Sequence, residues 1–189
     1  MPGLTPMVTD ERNALKTFLD QCRLQLRLTA YGLTDDQARQ APTASSIAVG
    51  GAIKHVAFTE GTWMNMIEGK PRDGQEAFMA AWTMTEDETL EQVLVSYDAA
   101  IARTDAFLVD CDLDQLVPVP KGVPWFPADL DNWSVRWIVM HLIQETARHS
   151  GHADIVREQV DGATAFPLMA AAEGWPETPW MRPWTPGSG

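Results

Sequence analysis

WSVRWIVMHLIQETARHSGHADIVREQVDG, residues 133–162, carries apolar side chains at helical spacing through seven turns without a proline or an internal stop signal. A helix is predicted from about Ser134 to Val160, with Asp131, Asn132 or Ser134 available as its cap and Asp161-Gly162 as its stop. Taking His141 as zero and about 100° per residue, Glu145 falls near 40°, His149 near 80° and His152 near 20°. One narrow stripe therefore carries every histidine of this helix and an interposed glutamate. A helix with such a stripe among its apolar positions needs other helices to pack against.

Working outward, residues 110–132 lose periodicity and hold Pro118, Pro120, Pro124 and Pro127 around Trp125 and Phe126, which predicts a long crossover loop. Before it, Leu90, Val93, Leu94, Tyr97, Ile101, Thr104 and Leu108 predict a helix ending near Val109, with Thr85-Glu86-Asp87-Glu88 as an acidic cap. A linker with Gly74 and several aromatic residues separates this from a helix over about Ile47–Glu68, capped by Ser45 and Ser46 and stopped by Gly69-Lys70-Pro71. Gly50 and Gly51 lie inside that helix, where each costs about 1 kcal/mol relative to alanine, and either loose first turns or a close helix approach accounts for them. The first helix is predicted from about Asp10 to Tyr31, closed by Gly32 and followed by a short acidic turn from Thr34. No run alternates with period two strongly enough to predict a sheet.

Four long helices and a long crossover define an all-α four-helix bundle over about residues 9–162, within a single domain spanning 1–189. Residues 163–189 form an extension in which Pro167, Pro176, Pro179, Pro183 and Pro186 stand beside Trp175, Trp180 and Trp184. Prolines this frequent exclude a long helix, and the tryptophans predict a tail draped over the bundle.

The balance of 14 Lys and Arg against 26 Asp and Glu gives a net charge of −12, which repels phosphate backbones and anionic membrane surfaces. No stretch is apolar for long enough to span a bilayer, and no basic segment followed by an apolar one opens the chain. Cys22 and Cys111 form neither a CxxC nor a spaced disulfide framework, as expected of a protein in a reducing cytoplasm.

The polar stripe is the candidate site. It is about 16 Å long at 1.5 Å per residue, too long for one ion to touch every member, so neighbouring pairs compete: His141 with Glu145, Glu145 with His149, and His149 with His152. A further ligand must come from another helix, and His55 is the one histidine elsewhere. His55 with Glu145 and His149 would make a two-histidine, one-carboxylate site for a divalent metal, with open positions for substrate. Zinc, nickel, iron and manganese all suit such donors, and the same set serves non-haem iron oxygenases. His141, His152 and Arg148 are then candidates for orienting ligands or moving protons. No GxSxG elbow or phosphate-binding glycine loop is present, so nucleophilic catalysis by the protein and nucleotide chemistry have little support.

The final helix also resembles a known family. The run Trp133–Gly162, the opening Thr9-Asp-Glu-Arg, the turn Gly32-Leu-Thr-Asp-Asp and His55-Val-Ala-Phe-Thr-Glu60-Gly-Thr-Trp63 are similar to the actinobacterial DUF664 branch of the DinB/YfiT-like superfamily. That resemblance implies a four-helix bundle whose metal is held by a histidine of the second long helix and two ligands on the last. His149-Ser-Gly-His152 resembles the HRGQ end of the superfamily's HxxxHRGQ pattern, which sets Glu145 where many members have histidine. A glutamate there resembles the metal-binding domain of mycothiol-dependent maleylpyruvate isomerase, and it favours the pair Glu145 and His149. The resemblance further implies a thiol S-transferase or isomerase using mycothiol or a similar thiol with an electrophilic substrate, and a homodimer. It also suggests roles for Arg148 and Arg157 in pairing with substrate carboxylates. The alternative is a stress-response helical bundle that binds a small ligand or partner without turnover.

Overall fold

The computed structural model describes residues 3–187; residues 1, 2, 188 and 189, the outer ends of the expected domain, lie outside the described residues. The elements are α1 (Glu11–Leu28), α2 (Asp35–Ala38), α3 (Val49–Ile67), α4 (Gln75–Ala80), α5 (Leu90–Leu108), β1 (Leu116–Pro118), β2 (Asn132–Ser134), α6 (Val135–Asp161) and α7 (Ala165–Glu173). The four long helices, α1, α3, α5 and α6, pack in the ring α1–α6–α3–α5, so this is the all-α bundle expected. No helix of the described residues is long and apolar enough to cross a membrane.

Local chemistry accounts for most boundaries. Asp10 caps α1 through the Asn13 amide, Thr34 closes a capping box with Gln37, and Ser134 caps α6 through the Trp137 amide. Gly162, at φ +76°, ends α6 in the left-handed conformation that glycine adopts without a Cβ clash. Three expectations are corrected. The second long helix starts at Val49 after Ala48, with no side-chain cap, because the Ser45 hydroxyl accepts from Ile47 and turns the chain before the helix begins. Thr89, not Thr85, caps α5: its hydroxyl accepts from the Gln92 amide, while Glu88 folds back onto Thr85 in a turn. The crossover is not wholly irregular, since β1 and β2 pair antiparallel with Val117 opposite Trp133, both buried.

The linker between α3 and α5 also contains a helix, α4, that the sequence pattern did not predict. In the extension, α7 accommodates Pro167 because it stands in the first turn, where an amide has no helical acceptor to lose. The tail is anchored at Trp184, which is buried, whereas Trp180 is exposed.

The core has two apolar clusters. One gathers Leu19, Trp63, Leu108, Val117, Trp133 and Ile138, and the other Leu26, Ile53, Val56, Tyr97, Ala153 and Val156. Along each long helix the two are separated by buried polar side chains: Arg23 on α1, Glu60 on α3, Thr104 on α5, and Thr146, His149 and Ser150 on α6. Buried polar groups cost free energy unless they are partnered. The polar layer is therefore where chemistry is to be sought.

Candidate metal centre

His55 projects from α3 and Glu145 and His149 from the adjacent α6. Glu145 and His149 are four residues apart, so they meet over one helical turn. Glu145 Oε1 lies 3.2 Å from His149 Nε2 and 3.4 Å from His55 Nε2. One potential ligand atom from each of the three residues lies within 4.8 Å of the others, and among the described residues this is the one cluster of three or more such groups. Ligand atoms about 2.1 Å from a common ion stand roughly 3.0–3.4 Å apart at tetrahedral or octahedral angles. Glu145 Oε1 stands at that spacing from both imidazole nitrogens, which lie within 4.8 Å of each other, so a small side-chain adjustment would bring all three onto one divalent cation. Thr59 Oγ1 stands 3.4 Å from His55 Nε2, at the edge of the same group.

The electrostatics suit ligation. Hydrogen bonds from His149 and His55 hold the Glu145 carboxyl far below its usual range against the opposing effect of burial, so it is anionic at neutral pH. His55 and His149 are both buried, while the Glu145 side chain keeps a fifth of its surface open.

A residue absent from the sequence-based site completes its wall. Trp82, which follows α4, stacks on His55 with ring centroids 3.6 Å apart and planes 19° from parallel. Gly51, one turn before His55, permits this approach: a Cβ there would run into the Trp82 carbonyl oxygen. Gly50 is similarly crowded, by Met84 and by the Ala38 carbonyl. Of the two explanations for the glycine pair, close approach is the one observed, although the approaching chain is the linker. Lys54 ties that linker down through the Thr83 carbonyl at 2.9 Å and through Glu88. The glycine pair within a helical pattern was the available signal for such a contact; nothing in the sequence identified Trp82 as the contacting residue.

In front of His55 and Glu145 opens a cavity of about 400 Å3, walled by Trp63, Trp125, Phe126, Trp133 and Trp137. His141 lines it, stacked on Trp137 at 5.3 Å and 9°, and burial lowers its pKa, leaving the ring neutral at pH 7. His152 lies on the other side of His149, ring centroids 5.5 Å apart, with its Nδ1 buried and unpartnered among the described residues. Arg148 is exposed on α6. Arg157 is corrected from a substrate-binding candidate to a structural pin. It is fully buried, paired with Asp161, bonded to the Thr29 and Tyr31 carbonyls and set over the Trp184 ring. A larger groove of about 780 Å3, lined by Arg27, Tyr31, Leu94 and Asp98, holds no comparable cluster of ligating groups among the described residues.

Comparison with known proteins agrees with this architecture. A crystal structure of a conserved protein from Enterococcus faecalis superposes with a TM-score of 0.64 at 15% identity, covering 82% of this chain and 100% of that one, which shows a shared fold. No functionally curated protein matches the chain. The family model for mycothiol S-transferases matches residues 14–162, from the first turn of α1 to the end of α6 and including His55, Glu145 and His149, and on that match the chain belongs to the mycothiol S-transferase family.

Proposed function

We propose that this protein is a divalent-metal-dependent S-transferase that joins mycothiol, or a similar low-molecular-weight thiol, to an electrophilic small molecule. His55, Glu145 and His149 are the metal's ligands. The observation that carries the proposal is the convergence of His55, Glu145 and His149, the first two at the wall of an aromatic cavity, in a chain of this family. When bound, the metal supplies Lewis acidity that lowers the pKa of a coordinated thiol.

The chain's own residues supply the rest. Glu145, anionic at neutral pH, adds a negative charge to the ligand set, and Trp82 covers His55 and limits water there. In this reading His141, which lines the cavity and is kept neutral by burial, accepts the thiol proton. In the transfer the thiolate sulfur forms a bond to an electrophilic carbon. A leaving group departs with its electron pair, or, at an activated double bond, the carbon that receives the pair takes up a proton. The net charge of −12 further favours small-molecule partners over nucleic acid.

The test is metal analysis of protein purified without chelator, followed by mycothiol conjugation assays. About one equivalent of metal per chain is expected. His149→Ala should weaken metal binding by at least ~100-fold, since loss of outer-shell partners alone costs 10–100-fold. Conjugation should vanish on chelation and return on metal addition. Full activity in chelated protein would refute the proposal. A second reading, a ligand-binding bundle without turnover, draws on the same geometry, because Glu145 Oε1 lies in hydrogen-bond reach of both imidazoles without an ion. It requires that ligand binding survive His149→Ala.

A further inference from the structure

We propose that the electrophile accepted at this site is a planar aromatic carboxylate, with its ring held among the tryptophans of the cavity and its carboxylate by Arg72 at the mouth. This rests on the thiol-transfer reading above and adds to it the chemical class of the acceptor.

The walls favour a flat apolar ring. Trp133, Trp137 and His141 are spaced by four residues, and their rings form a ladder with centroids 4.9 and 5.3 Å apart and planes 7° and 9° from parallel. Trp63 meets the edges of Trp133, Trp137 and His141, and Phe126 stands edge-on to Trp133 at 4.9 Å. Trp137 remains 41% exposed and Trp125 67% exposed, so aromatic surface lining the cavity is left uncovered by the protein itself. A cavity of about 400 Å3 lies within the roughly 300–1,000 Å3 span of small-molecule sites.

The charge comes from one residue. Of the 14 Lys and Arg side chains, Arg72 and Arg148 are the two that form no hydrogen bond or ion pair with another described residue, and only Arg72 lines the cavity. Its guanidinium carbon sits 5.1 Å from the Phe126 centroid, a ring contact that uses none of its N–H donors. Those donors match a carboxylate in a bidentate fork. The adjacent Asp73 accepts from the Thr62 hydroxyl at 3.1 Å and makes no ion pair with Arg72. From His55 of the triad outward, ring contacts run to Phe78 at 5.9 Å, from Phe78 to Trp125 at 6.2 Å and from Trp125 to Phe126 at 6.3 Å before reaching Arg72. A bound anion at Arg72 is thus set apart from the Glu145 carboxylate by aromatic wall, and the ring between them can present its electrophilic carbon toward the triad.

Two measurements on the full chain test this. Calorimetric titration compares 2-naphthoate with neutral 2-naphthylmethanol. Naphthoate should bind about tenfold more tightly, the equivalent of one good charge-assisted hydrogen bond, and Arg72→Gln should abolish the preference while Arg72→Lys retains part of it. In metal-loaded protein with mycothiol, 4-chloro-3,5-dinitrobenzoate is compared with 1-chloro-2,4-dinitrobenzene. Each reaction forms a carbon–sulfur bond, breaks the carbon–chlorine bond, releases chloride with its electron pair and gives the thiol proton to buffer. The ratio of kcat/KM for the carboxylate over the neutral electrophile should fall about tenfold in Arg72→Gln. Equal naphthoate binding by the wild type and Arg72→Gln would overturn the inference even if both electrophiles were turned over. Charge-selective binding without turnover of either electrophile would instead overturn the thiol-transfer reading, and the acceptor role with it.

Discussion

Arg23 and Glu60 are 3% and 1% exposed, and two guanidinium nitrogens of Arg23 meet the two oxygens of the Glu60 carboxylate. The remaining terminal nitrogen of Arg23 reaches Asp20 and Asp105, each at 2.8 Å, and Lys16 bridges the same two aspartates. Three carboxylates and two cations thus share the polar layer between the apolar clusters. Removing the arginine strands a fully buried carboxylate, whereas neutralising the glutamate leaves Arg23 with two aspartates and an amide oxygen. Arg23→Met is accordingly expected to destabilise by about 3–5 kcal/mol and Glu60→Gln by less than half as much. Urea unfolding midpoints at matched slopes measure the difference, and equal losses would show that Asp20 and Asp105 do not hold the arginine. None of this was legible beforehand. Arg23 and Glu60 are 37 residues apart on helices whose relative rotation no local pattern specifies.

Among the elements, α3 links local sequence to the site most directly. Its Gly50-Gly51 pair sacrifices helix propensity so that the chain at Trp82 can lie against the helix backbone, which puts the Trp82 ring on His55. Alanine at position 51 would gain about 1 kcal/mol of propensity but must displace a backbone carbonyl, at a typical overpacking cost of about 1–3 kcal/mol. Gly51→Ala should therefore lower the melting temperature and weaken metal binding together, as the linker shifts off His55. Gly61 lies on the same helix, and a Cβ there would meet nothing within 4 Å, so Gly61→Ala should stabilise by up to about 1 kcal/mol. Paired thermal melts decide the matter: if both substitutions stabilise, the contact with Trp82 is not holding the linker. The four long helices were legible because the 3.6-residue repeat is a local property, whereas the short α4 and α7 were not. The starts of α3 and α5 were misplaced because serine and threonine serve turns as readily as caps.

At the scale of the whole molecule, the C-terminal extension is fastened to the bundle by α7 and by the buried Trp184 ring. Trp184 lies over Arg157, meets the edge of Tyr31 at 6.0 Å and fills the space beside Gly32, where a Cβ would come within 2.6 Å of the ring. α7 lies on α1 and buries Leu168, Met169 and Ala170. Trp184→Ala should cost about 3–5 kcal/mol, the usual range for deleting a buried aromatic. Metal affinity should stay within about twofold, because Arg157 is two turns of α6, roughly 12 Å, from His149. Calorimetric unfolding together with a metal competition titration checks both, and a loss of metal binding would mean that the extension supports the site directly. The sequence by itself determined the long helices, the bundle class and a short set of residues able to ligate a metal, since periodicity, capping chemistry and histidine spacing are properties of neighbouring residues. The family resemblance had already favoured Glu145 and His149 as partners of His55; tertiary structure decided that the three side chains converge and that Trp82 and Arg72 border the same space. It also decided that Arg157 is buried in the fold. Those outcomes depend on how helices rotate and where loops return, and both are set by packing between segments distant along the chain.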